Sequence, residues 1–261
     1  MDHKWLEEQR EEVGLALARQ GIRLAVPVAD DGTKGAAAPE NSSLASFIDH
    51  TLLKPTASQA QIRQLCQEAL DYEFASVCVN PVHVPAAAGI LAGSAVKVCT
   101  VIGFPLGANS TLCKVLEARD AVAAGAEEVD MVMNIGALLE GDYARVYSDI
   151  KAVRDGVPGQ VLKVILETGY LTKEQIVRGC ILAKMAGADF VKTSTGFGPG
   201  GATAEDVALM RKVVGADCGV KASGGIRDAE TAVAMIKAGA NRLGASSGVA
   251  IMEGLRGETD Y

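Results

Sequence analysis

From Leu44 onward the chain alternates short β-branched runs with helical segments of about 10–15 residues, and the alternation persists to the end. Strands are expected at 46–50, 74–79, 96–102, 127–133, 161–166, 189–192, 218–221 and 241–244. Helices are expected near 58–71, 82–92, 110–124, 142–155, 173–186, 204–214 and 228–238, with a short last one near 247–252. Parallel strands need a crossover between each pair, so eight such units predict an α/β chain folded as a single (β/α)8 TIM barrel. The triplet AGA supports the repeat. It recurs at 124–126, 186–188 and 238–240, each time closing a helix two residues before an apolar strand. A doubly wound open sheet is the alternative, but no GxGxxG opens a helix after the first strand.

The barrel is assigned to residues 43–261 and an N-terminal helical and linker extension to residues 1–42. Within the extension, WLEEQREEVGLALARQ (5–20) is expected as a short helix with a weak apolar face. The stretch VPVADDGTKGAAAPENSS reads as a linker rich in Gly, Pro, Asp and Ser. Hydrophobic residues make up 49% of the 261 but aromatics only 4%, so Ala, Val, Ile, Leu and Gly must carry the packing. A net charge of −7 argues against nucleic acid or a membrane as partner, and any basic site must be local. Cys66, Cys78, Cys99, Cys113, Cys180 and Cys218 show no CxxC spacing and read as reduced thiols. The N-terminal stretch has no apolar core of a signal peptide, and no apolar run reaches about 18 residues. A soluble, cytoplasmic protein is expected.

In barrels of this kind chemistry gathers at the C-terminal ends of the strands. Lys97 opens VKVCTVIGF and Lys163 comes early in VLKVILE, so both are expected low in the barrel. Lys192 ends its strand before the loop TSTGFGPGG, and Lys221 ends CGVK before ASGG. A lysine snorkelling to water is the ordinary explanation for either one alone. Two at one level on neighbouring strands repel, and partial desolvation adds to the effect, so at least one pKa is expected to fall. A neutral amine in a barrel mouth is a nucleophile that forms Schiff bases with carbonyls. Asp130, in EEVDMVMN, stands where Val or Ile would be the ordinary choice. Buried, it needs a partner, and it serves either proton transfer or a structural ion pair. Asp49, read as ending the first strand, has the same two readings, with the structural one ahead. Glu167 and Thr168 are read as ending the fifth strand. Cys78 and Asn80 end the second, where a cysteine is more often core than catalytic.

The turn SGG, with Gly224 and Gly225, leads to a helix starting near Asp228, and GASSG, with Ser246 and Ser247, leads to the last helix. Backbone N–H groups at such glycine turns and helix starts bind phosphate. His3, His50 and His83 lack ligand spacing, so no metal and no other cofactor is expected.

From about Phe47 to Met252 the segments IDHTLLKPTA, SVCVNP, VKVCTVIGFPLGA, EEVDMVMNIGAL, LKVILET, GADFVKTSTGFG, GVKASGGIRD and GASSGV follow one another. In these the chain resembles the deoxyribose-phosphate aldolases, class I aldolases built on a TIM barrel. The resemblance implies reversible cleavage of 2-deoxy-D-ribose 5-phosphate to acetaldehyde and D-glyceraldehyde 3-phosphate. By position it implies Lys192 as the Schiff-base lysine, Lys221 as the lysine that lowers its pKa, and Asp130 as the acid/base partner. Thr195, Gly225, Ser246 and Ser247 fall where such enzymes hold phosphate and polar substrate groups, and Asp49, Cys78 and Gly224 complete the expected substrate site. A phosphosugar substrate and a homo-oligomer, dimer or tetramer, are expected. Some members carry a phosphate-neutralising lysine where this chain has Phe197, and Arg227 is the candidate substitute. Two other readings remain: a phosphosugar isomerase or epimerase without a covalent lysine, and a non-catalytic phosphosugar-binding barrel.

Overall fold

The computed structural model describes residues 3–26 and 44–257, so most of the expected linker lies outside the described residues. Eight parallel strands form a closed barrel in chain order. They are β1 (Ile48–Leu52), β2 (Ser76–Val79), β3 (Lys97–Ile102), β4 (Glu128–Val132), β5 (Val161–Ile165), β6 (Phe190–Lys192), β7 (Gly219–Ser223) and β8 (Arg242–Ala245). Closure comes from β8 pairing with β1, Asp49 opposite Gly244. The helices are α1 (His3–Arg19), α2 (Gln59–Asp71), α3 (Val84–Leu91), α4 (Thr111–Ala123), α5 (Ile135–Leu139), α6 (Tyr143–Gly156), α7 (Lys173–Met185), α8 (Ala204–Val214), α9 (Ala229–Lys237) and α10 (Gly248–Met252). Of these only α5, one short turn after β4, is absent from the sequence expectation. Among the described residues no helix is long and apolar enough to cross a membrane.

Local chemistry explains where the helices begin and end. Ser58 and Thr172 form capping boxes with Gln61 and Gln175, and Ser110, Asp142, Thr203 and Asp228 cap their helices with side-chain oxygens. Each such cap is worth about 1 kcal/mol. The three AGA triplets are one device. The first alanine is the last αR residue, and Gly125, Gly187 and Gly239 follow with φ of 112°, 88° and 114°. The closing alanines donate back to Ala121, Ala183 and Met235, the 6→1 bond of a Schellman motif.

Strand alternation divides the core in two. Val77, Val129, Met131, Val164, Val191, Val220 and Leu243 belong to the large apolar layer shared with the helices. The barrel interior holds a small cluster, Leu53, Cys78, Cys99 and Val101, together with a set of buried charged side chains. The extension's helix α1 buries Leu6, Val13 and Leu17 on the outer layer. Its weak apolar face is supplemented by Arg178 of α7, which donates to Gln9 at 2.9 Å and Glu12 at 2.6 Å.

At their C-terminal ends two strands depart from expectation by more than one residue. Both β1 and β7 run two residues further, because Leu52 still pairs with Val79 and Ser223 with Gly244. Asp49 and Lys221 therefore lie inside their strands and not at the ends. Glu167, expected to end β5, instead follows it in a left-handed turn with φ of 58°.

Candidate active site

Inside the barrel seven charged side chains touch one another. Asp130 Oδ1 accepts from Lys163 Nζ at 2.8 Å, and its Oδ2 accepts from Lys192 Nζ at 2.9 Å and Lys221 Nζ at 2.7 Å. Asp49 pairs with Lys221 and, at 2.6 Å, with Arg242. Glu128 holds Lys163 at 2.5 Å and Arg242 at 3.2 Å. Three carboxylates thus face four cations. All the acids come from β1 and β4, and all the cations from β5 to β8.

The geometry follows from strand parity. Glu128 and Asp130 are two apart on β4 and share its inner face. Lys163 stands opposite Asp130 in register, and Lys192 stands opposite Lys221. The expected level pair of lysines is present. Lys97 lies low, as read, and pairs with Glu127 at 2.8 Å on the surface. Lys163 starts low on its strand, yet its ammonium reaches Asp130. Lys163, Glu128 and Arg242 were missed as members of the site. For Lys163 and Glu128 the available signal is strand parity, since Glu128 shares the face of Asp130 and Lys163 stands opposite it, whereas Arg242 at the first residue of β8 gives none.

Electrostatics set the protonation states. Burial alone would raise the Asp130 carboxyl, but Lys163, Lys192 and Lys221 hold it well below the usual carboxylate range. Asp49 is likewise held low, with Arg242, Lys221 and Lys163 outweighing burial. Burial would lower Lys221, but Asp130 and Asp49 lift it well above the ordinary lysine value. Of the two lysines expected to repel, Lys221 is therefore not one whose pKa falls. Lys163 is raised in the same way, burial being overcome first by Asp130.

Lys192 differs from its neighbours by position. It ends the three-residue strand β6, and it is 3% exposed where Lys163 and Lys221 are sealed at 0%. Beyond it the chain turns under a carboxylate. Glu167 is buried, and its oxygens accept from the N–H and the hydroxyl of Thr195. Burial raises the Glu167 pKa, against the opposing pull of those bonds and of Lys192. The Thr195 hydroxyl also accepts from the Phe197 N–H at 3.0 Å, so it is engaged on both sides. A cavity of about 380 Å³ opens here, lined by Leu106, Ile135, Leu139, Glu167, Thr195 and Phe197. Phe197 is 45% exposed and packs edge-on against Phe104 at 5.4 Å.

The two loops expected to bind an anion differ. Gly224 and Gly225 adopt φ of 86° and 77°, a conformation that favours glycine, and a Cβ at Gly225 would meet only open space. The start of α9 beyond them is already capped by the Asp228 carboxylate, which accepts from the Thr231 N–H at 2.8 Å. The turn, and not that helix start, is what remains for an anion. After β8, Ser246 is half-buried and Ser247 is 8% exposed, and the Ser247 side chain does not cap α10.

Cys78 is fully buried in the interior cluster beneath the lysines. Its sulfur lies with Cys99 and Asp130 in one group of donor atoms, and Asp49, Cys99 and Glu128 form another, each within 4.8 Å. Every carboxylate in both groups is already paired with an ammonium or guanidinium group, so its charge is compensated without an added ion.

Comparison with known proteins agrees with this geometry. Residues 44–254 match the model of the DeoC/LacD family aldolases. A deoxyribose-phosphate aldolase of Clostridium perfringens is 59% identical over 223 residues, 85% of this chain and all of that protein. The crystal structure of a Coccidioides immitis protein covers 97% of both chains at 43% identity, with a TM-score of 0.80. The tetrameric deoxyribose phosphate aldolase of Aeropyrum pernix has a TM-score of 0.74 at 38% identity, covering 80% of this chain and 89% of its own. These likenesses set aside the isomerase and the non-catalytic barrel. The chain belongs to the DeoC/LacD family of aldolases, and it is a carbon–carbon lyase of the deoxyribose-phosphate aldolase kind.

Proposed function

We propose that the protein reversibly cleaves 2-deoxy-D-ribose 5-phosphate to acetaldehyde and D-glyceraldehyde 3-phosphate through a Schiff base on Lys192. The observation that carries this reading is the surplus cation. Four cations meet three carboxylates, so loss of one proton leaves the contacts balanced, and Lys192 is the lysine among them with a path to the mouth. Its amine attacks the sugar carbonyl, and water leaves to give a protonated imine. As the sugar's C3 hydroxyl loses its proton, the C–C bond electrons pass into the imine, and D-glyceraldehyde 3-phosphate departs with the new carbonyl. The remaining enamine is protonated and hydrolysed to acetaldehyde and free lysine. Asp130, 2.9 Å from Lys192 Nζ, is placed to accept and return protons, directly or through a water. Lys221 keeps its charge next to both.

In this reading the phosphate rests on backbone N–H groups around Gly224, Gly225, Ser246 and Ser247, since Phe197 brings no charge. Asp49 and Cys78 support the cluster from inside the barrel, and Thr195 shapes the loop through Glu167. Five buried free thiols suit a reducing, cytoplasmic location. The tetrameric relative supports a homo-oligomer.

Trapping tests the assignment. Acetaldehyde followed by borohydride is expected to leave a reduced two-carbon adduct on Lys192, read by peptide mass. An adduct on Lys221 or Lys163, or none, would reject Lys192 as the nucleophile.

A further inference from the structure

The floor of the cluster contains a pair of thiols that the lysine chemistry does not use as reactants. Cys78 on β2 and Cys99 on β3 stand opposite each other in register, and both are fully buried. Their sulfurs lie within 4.8 Å of each other and of an Asp130 oxygen. Neighbouring strands run about 4.8 Å apart, within the range of about 4.4–6.8 Å between Cα atoms that a disulfide bridges. The backbone therefore has no gap to close. Lys163 Nζ is 3.3 Å from the Cys99 sulfur, and the Lys192 and Lys221 ammonium groups converge on the same Asp130. These ammonium groups oppose the cost that burial and Asp130 place on a thiolate, the form that reacts with oxidants.

The pair is also polarised. Cys99 holds the Cys78 thiol below its ordinary value, with Lys221 and Lys192 assisting against burial. Burial, and then Cys78, push Cys99 well above its ordinary value.

We propose that Cys78 and Cys99 form a modification site that a peroxide oxidises to a disulfide, switching off the aldolase. The Cys78 thiolate attacks one peroxide oxygen and the O–O bond breaks. A sulfenic acid forms, and the departing hydroxide takes a proton to leave as water. The Cys99 sulfur then displaces the sulfenic hydroxyl, gives up its own proton, and a second water departs as the S–S bond closes. Two thiols lose two electrons in all, and one peroxide becomes two waters. Complete burial restricts the site to an oxidant as small as hydrogen peroxide entering past Lys192.

Inactivation follows from what Cys99 holds. Its sulfur contacts Asp130 Oδ1 at 3.2 Å and accepts from Lys163. Drawn to Cys78, it releases both. This consequence rests on Asp130 serving the reaction, whereas formation of the bond does not.

Peroxide treatment followed by alkylation under denaturing conditions and peptide mapping tests the two parts separately. Tryptic cleavage leaves Cys78 with Cys66 and Cys99 with Cys113, so fragmentation must locate the bond. A Cys78–Cys99 cross-link is expected, with activity falling in proportion to the cross-linked fraction and returning with dithiothreitol. Cys113→Ser, at the one exposed cysteine, is expected to respond as the wild type does. Thiols that stay free, a cross-link with activity retained, activity lost without the cross-link, or a response that vanishes in Cys113→Ser would each overturn the proposal.

Discussion

Two sets of fully buried lysines share this fold, and their surroundings differ in number more than in kind. Lys114 on α4 meets one carboxylate, with Nζ 2.6 Å from Asp149 on α6 and 3.0 Å from the Val132 carbonyl. Burial lowers the Lys114 pKa, and Asp149 restores only part of it. Lys163 and Lys221 each meet two carboxylates directly, and there the acids overcome burial. The Lys114 pair is closed one to one and ties two helices to a strand. The interior set is left with one cation more than its acids. Neither burial nor a shifted pKa marks a lysine as catalytic, since the clearest downward shift belongs to the structural pair. In the proposed reading the distinguishing feature is a surplus charge with one member at an open strand end.

Substitutions on each side of this contrast should produce different kinds of loss. Lys221→Leu is expected to reduce kcat/KM by about 100-fold, as for removal of one preorganised charge. It should also move the acid limb of the pH–rate profile upward. An unchanged limb would show that Lys221 does not act on Lys192. Lys114→Met is expected to cost about 3–5 kcal/mol of stability, because Asp149 is left buried without its cation. Activity per folded molecule should stay near wild type, and a selective loss of turnover would erase the distinction drawn here.

A smaller effect concerns pH. Asp49 and Asp130 have folded pKa values below the unfolded value of about 3.9, so their contribution is fully present above about pH 5 and is lost as pH falls toward the folded values. Lys163 and Lys221 are raised above about 10.4, so theirs is present below about pH 10 and fades as pH rises through the folded values. The network's stabilisation should be flat between those limits. Thermal melts of wild type and Asp130→Asn would show it, and a difference between the two that changes between pH 6 and 8 would contradict it. Least of all, Phe197→Lys is expected to lower KM for a phosphorylated substrate by about 3–5-fold, near 1 kcal/mol for an exposed ion pair, with kcat little changed. An unchanged KM would place the phosphate out of reach of this position.

The parts of this contrast that could be read beforehand share a property. Asp130 interrupts an apolar run, and Lys192 and Lys221 were read as closing apolar strands at one level, so each was visible as a charge where none is cheap. Lys163 interrupts such a run as well, but it was read by height along the strand and not by the face it takes, and Glu128, two residues before Asp130 on the same face, was not read at all. Arg242 stands at the first residue of β8, where a charge draws no notice until barrel closure brings it to Asp49. Helix ends followed the same rule. Three were legible because glycine occupies the left-handed position. α2 closes with the same bonds but with Glu73 there, at φ of 56°, and gives no signal.

The placement of the seven interior charges has a consequence for how the barrel comes together. Asp49, Glu128 and Asp130 precede Lys163, Lys192, Lys221 and Arg242 in the chain without overlap. A chain growing from its N-terminus completes the first four strands before any of their counter-ions exists. That half would have to bury three carboxylates alone, which costs several kcal/mol for each. The second half faces the reverse problem with its cations. Neither half can bury its inner face alone without that cost, and each carries the charge that makes the other acceptable. They meet where β4 adjoins β5, at Asp130 and Lys163, and where β8 adjoins β1, at Arg242 and Asp49. Assembly of the charge cluster and completion of the barrel are therefore expected to be coupled.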